Sequence, residues 1–135
     1  MLGVNGVRLN QLVDLRSGYG LDGGYDTQTA PNGDIILKNN RIAPRYLRIK
    51  DGRVVYITGT CLQLSGSEFV KSNVDSPRRI KALFGQPSRV ISDSDGSERL
   101  TYRGIDGICV DFLLVRTTSG LTLDEVNLYT EFDHR

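Results

Sequence analysis

The chain is poor in the residues on which enzymes, metal sites and membrane spans are usually built. Its 135 residues include one histidine, His134, in the last two positions, where chains fray and a catalytic role is not expected. With no second histidine, no serine or cysteine has an imidazole left to activate it. The two cysteines, Cys61 and Cys109, lie in β-like runs and are expected as buried free thiols rather than as a disulfide. Two cysteines and one histidine do not complete a tetrahedral zinc site without carboxylates, so no metal, no cofactor and no enzyme activity are expected. No apolar run approaches the ~18 residues of a membrane span, and the longest is interrupted by Asp111. The start, MLGVNGVRLN, has no basic leader, apolar core or lipid-anchored cysteine, which leads us to expect a cytoplasmic protein. Charge of one sign is also missing. Seventeen Lys and Arg stand against sixteen Asp and Glu, interspersed along the chain, so nucleic acid is not an expected partner.

What is present suits one small domain over residues 1–135. Apolar residues make up 39% of the chain, enough for one continuous core, and fifteen glycines against four prolines suit tight turns between short strands. The segment SPRRIKALFG, residues 76–85, predicts a helix: Ser76 at the cap, Pro77 at the first turn, Ile80, Leu83 and Phe84 on one face, Gly85 and Pro87 as stop signals. Beyond it, residues 88–92 and 97–103 flank the polar turn DSDG and predict a hairpin. Residues 108–115 predict a central strand, apolar on both faces apart from Asp111, and residues 121–132 a last strand.

The first half is readable in the same terms. Leu9, Leu12 and Val13 repeat the helical spacing of Ile80, Leu83 and Phe84, with Gly18 and Gly20 as stop signals. A long polar stretch, residues 19–32, predicts a surface loop. Residues 34–37, 46–50, 53–58 and 60–64 predict strands, with Asp51-Gly52 as a strong hairpin turn. The expectation is therefore an α+β fold of two degenerate helix-plus-hairpin repeats, residues 1–66 and 67–135, with both short helices packed on one face of a single antiparallel sheet.

The run IKALFGQPSRV at residues 80–90, followed by Leu100-Thr101-Tyr102 and the strand at 107–114, resembles a known pattern. It looks like the helix, Gly-x-Pro stop and aromatic-ending strand of the family containing the β-lactamase inhibitor protein and the small outer-membrane assembly lipoproteins. The resemblance covers about half the chain well and the first half only through the weak repeat, in which no Gly-x-Pro follows the helix. Within that superfamily a version without leader or anchoring cysteine looks most like the cytosolic immunity proteins of secreted bacterial toxins. That implies a partner, a cognate protein toxin whose active site is occluded; the alternative is a non-catalytic assembly module of the bacterial envelope, and a homodimer stays open.

Candidate recognition residues follow from chemistry. Tyr19 and Tyr25 with Asp22 and Asp26 place aromatic anchors and negative charge in the polar stretch. Asp111, a carboxylate in an otherwise apolar strand, must be paired with a sheet arginine or mark the face that meets a partner. The motif DSDG lacks the later Glu of a calcium loop and is expected as a plain turn. The glycines around Tyr19 lack the strand and Lys-Ser/Thr of a phosphate loop. Arg41, Arg45, Arg48, Lys50 and Arg53 are expected on the wet side of the first hairpin, and a carboxylate-only enzyme or small-ligand binder is the third class kept open.

Overall fold

A computed structural model describes residues 2–13, 25–41, 44–63, 69–72, 74–104 and 106–131. The chain opens with β1 (Gly3–Val4) and β2 (Val7–Arg8), two short strands closed by Asn5 and Gly6 at φ 48° and 86°. Two successive residues at positive φ match the right-handed twist of the flanking strands, which is why Asn-Gly makes this turn so readily. An edge strand β3 (Asp26–Thr29) leads into β4 (Ile35–Lys38), β5 (Tyr46–Lys50) and β6 (Arg53–Gly59). Two small strands, β7 (Cys61–Gln63) and β8 (Phe69–Lys71), precede the helix α1 (Pro77–Phe84). Four strands complete the chain: β9 (Arg89–Ser92), β10 (Glu98–Arg103), β11 (Ile108–Thr117) and β12 (Gly120–Thr130).

These strands form two antiparallel sheets. The larger runs β3-β4-β5-β6-β12-β11-β10-β9, and the smaller β2-β1-β7-β8. The large sheet is thus two four-stranded meanders joined where their last strands pair, with Leu128 opposite Ile57 and Val126 opposite Gly59. Directly paired residues share a face, so Leu37, Leu47, Ile57, Leu128 and Val110 form one continuous apolar row. All five are buried, and they join Val4, Leu62 and Val70 of the small sheet and Ile80 of α1 in one core. At Gly59 the two layers approach closely: a Cβ there would meet Val4 and the Asn5 side chain. Asn5 turns that closeness to use, accepting a hydrogen bond at Oδ1 from Thr60 N at 2.8 Å where the chain leaves one sheet for the other.

The fold is therefore mostly β, and the α+β expectation of two helices and helix-plus-hairpin repeats is wrong. Among the described residues α1 is the one helix. The segment around Leu9, Leu12 and Val13 is not helical. Asn10 stands at φ 66°, Leu12 bridges to Arg53 with its side chain 66% exposed, and the backbone runs along β6 through Asn10 N to Val54 O (2.7 Å) and Val54 N to Gln11 O (3.0 Å). The i, i+3, i+4 spacing there arose by coincidence. The stronger local signal was Asn5-Gly6 between Val4 and Val7, which commits the preceding residues to a hairpin and leaves no turn of helix to nucleate. The stop signals Gly18 and Gly20 lie outside the described residues.

The second helix is present as the sequence indicates. Ile80 is buried, while Leu83 and Phe84 are half-buried against the core. Ser76 occupies the cap position without a side-chain cap hydrogen bond, and Gly85 ends the helix at φ 81°. Its ends are tied to the large sheet: Leu123 N donates to Asp75 O at 2.9 Å, and Tyr102 OH donates to Gly85 O at 2.9 Å. Asp75 itself is buried and takes the Arg79 guanidinium at 2.6 Å and Lys71 N at 2.7 Å. No helix among the described residues is long and apolar enough to cross a membrane.

Candidate functional site: the outer face of the large sheet

Both the small sheet and α1 pack on one face of the large sheet. On its other face, which no described element covers, the period-two alternation of the strands places a different set of side chains. Across the middle of this face Tyr46, Thr58, Asn127, Asp111 and Thr101 stand opposite one another on successive strands, with Arg89 at the end. The neighbouring row holds Arg48, Tyr56, Tyr129, Cys109 and Arg103.

Three tyrosines form a ladder along this surface. Tyr56 and Tyr129 stack at a centroid distance of 5.2 Å and an interplanar angle of 15°, and Tyr46 meets Tyr56 edge-on at 5.5 Å. Aromatic pairs of this kind add about 0.5–1.5 kcal/mol beyond the area they bury and hold the rings in fixed positions. Burial, followed by the charge of Asp111, pushes the Tyr56 phenol up to about 12, while the charge of Arg99 opposes the shift. Tyr129 moves the same way, from burial first and Asp111 second.

Asp111 sits at the centre. Only 6% of it is exposed, and its Oδ1 accepts hydrogen bonds from Thr101 Oγ1 at 2.8 Å and Tyr129 OH at 3.1 Å. Its Oδ2 accepts none from the described residues and is not sealed from solvent. Beside it lies a cleft of about 470 Å³, lined by Asp111, Thr101 and Tyr129 with Arg89, Arg99 and Arg103 and with Cys109, Glu131, Ser88 and Ile91. Arg103 is held by Glu131 at 3.2 Å, whereas Arg89 and Arg99 are exposed and enter no ion pair among the described residues. Burial raises the Cys109 thiol, as it does that of Cys61, so neither free cysteine has the lowered pKa of a nucleophile. Among the described residues no group of histidine, cysteine and carboxylates is placed to hold a metal ion.

Those candidate residues named from sequence that the structure describes are not gathered in one place. Asp111 is at the heart of the face. Asp26 is exposed on edge strand β3, in the same row but five strands away, roughly 24 Å at the usual strand spacing. Tyr25 is half-buried against the core and donates its hydroxyl to Pro44 O at 2.8 Å. Tyr19 and Asp22 lie outside the described residues, as does His134. Missed altogether were Tyr56, Tyr129, Arg99 and Arg103. For the two arginines a signal was available in the alternation Arg99-x-Thr101-x-Arg103, which puts polar groups on every outward position of β10. Comparison with protein-family models, with curated proteins and with solved structures finds no match to this chain.

Proposed function

We propose that the protein is an immunity or inhibitor protein, acting in the cytoplasm, that uses the outer face of its large sheet to block the active site or substrate path of a cognate secreted toxin. The observation that carries this reading is the composition of that face: a stacked tyrosine ladder beside a recessed carboxylate and two exposed arginines, Arg89 and Arg99, that enter no ion pair among the described residues, all borne on antiparallel strands. Tyrosine and arginine are the residues in which binding energy concentrates at protein interfaces, because each combines large contact area with directed hydrogen bonds. Stacking fixes the tyrosine rings before the partner arrives, so they lose little ordering entropy on binding. The resemblance of the helix and LFGQP segment to the inhibitor and immunity superfamily supports the same reading.

The test is co-expression with the product of the adjacent reading frame. Rescue of growth and a stable complex are expected, with Tyr56→Ala and Arg99→Ala each weakening the complex by about tenfold or more, the scale of an interface hot spot. Val74→Ala, at a side chain 72% exposed and away from this face, should leave the affinity unchanged. A toxic neighbour that is neither bound nor neutralised, or a complex indifferent to both face substitutions, would remove the proposal.

A further inference from the structure

We propose that the cleft beside Asp111 is a receptor for a zwitterionic group, an ammonium or guanidinium seated on Asp111 Oδ2 and a carboxylate held by Arg89 and Arg99. This deepens the reading above, sharing its face but not needing its partner.

Asp111 is more than nine-tenths buried, yet only one of its oxygens is used by the protein. An ionised carboxylate with open lone pairs in a recess is best satisfied by a charged donor, since hydrogen bonds to ionised groups are about twice as strong as neutral ones. The chain has cations nearby but does not spend them there. Arg99 and Arg103 flank Thr101 on β10 and so stand diagonal to Asp111, but Arg103 goes to Glu131. Arg89 and Arg99 line the same cleft with their charge unmatched by any ion pair among the described residues.

Once Arg103 and Glu131 cancel, the cleft presents a negative floor and a positive wall. An anion alone is drawn to the arginines and repelled by Asp111; a cation alone meets the reverse. A ligand carrying both signs a few ångströms apart is attracted at both ends, and a mismatched charge is penalised more heavily in a recess than in open water. The volume of about 470 Å³ falls in the usual range for ligand pockets and exceeds a single amino acid. The same chemistry reaches such a site from two sources, a free amino acid or adjacent basic and acidic side chains on a partner protein.

The experiment titrates isotope-labelled protein with L-alanine, with ethylammonium and with propionate, the last two carrying one charge of the first each, and follows backbone amides by NMR. Alanine should shift the amides of Thr101, Asp111 and Tyr129 saturably, with each half-ligand at least about tenfold weaker. Asp111→Asn, which keeps an acceptor for both hydroxyls, and Arg99→Gln should each abolish the response while circular dichroism shows the fold intact. A blocked lysyl-aspartyl peptide that binds more tightly than alanine would assign the site to a partner surface; the opposite order would assign it to free amino acids. No saturable shift with either, propionate or ethylammonium binding as well as alanine, or an unaffected Asp111→Asn would overturn the inference. A toxin complex formed by a protein that binds neither alanine nor the peptide would sink this inference alone, and alanine binding without any toxin complex would sink only the functional reading.

Discussion

Tyr56 illustrates how a single residue on the outer face couples burial to charge. Its phenol is pressed between Tyr46 and Tyr129 and feels Asp111, so the neutral form is favoured and the pKa rises from 10.0 to about 12. The sign of the linkage follows: a group whose folded pKa lies above its unfolded value contributes stability below the unfolded pKa and loses it as pH rises through the folded one. The protein should therefore lose stability between pH 10 and 12, because unfolded Tyr56 ionises there while folded Tyr56 holds its proton. Urea denaturation at stepped alkaline pH checks this. Tyr56→Phe should flatten part of the decline, and a variant whose slope matches the parent would show that Tyr56 titrates as an exposed phenol.

At the scale of elements, the clearest case is the β5–β6 hairpin. Asp51 and Gly52 stand at φ 52° and 77°, a pair of positive values that only a two-residue turn of this hand needs. Gly52→Ala has open space for its methyl but a strained backbone, and should destabilise the protein by about 1 kcal/mol, read as a shift in the urea midpoint at unchanged slope. A neutral outcome would mean that the turn relaxes to another type. This hairpin, the turn at Asp93–Gly96, α1 and strands β11 and β12 were legible in the sequence because each is specified by residues close together: turn chemistry, capping, or a long alternation. Leu9, Leu12 and Val13 misled because three apolar residues at helical spacing weigh less than the Asn-Gly turn just before them. The small sheet was not legible, since pairing Gly3 with Gln63 joins residues 60 apart and leaves no local trace. The site was half legible. Asp111 stood out as a charge in an apolar strand, while Tyr56 and Tyr129 read as ordinary strand residues until the β6–β12 pairing stacked them.

On the whole molecule, that same pairing decides how the two meanders behave. Each brings four strands to the large sheet, and the seam between them is a single strand pair, with Ile57 and Leu128 opposite one another and both fully buried. A seam of one strand pair would let the halves open separately if each had its own core. They do not: Leu37, Leu47 and Ile49 from one side and Leu100, Phe112 and Leu114 from the other belong to one buried cluster, and β1 and β7 of the small sheet lie across the junction. Removing either meander would expose the apolar row of the other, so the halves should unfold together. Ile57→Ala, at the seam, should cost about 2–5 kcal/mol and lower the hydrogen-exchange protection of β5 and of β11 by the same amount. Strand β3, exposed along its whole length at the sheet edge, should exchange first in both proteins. If β11 kept its protection while β5 lost it, or if denaturation split into two transitions, the two meanders would be separate folding units that merely share an edge.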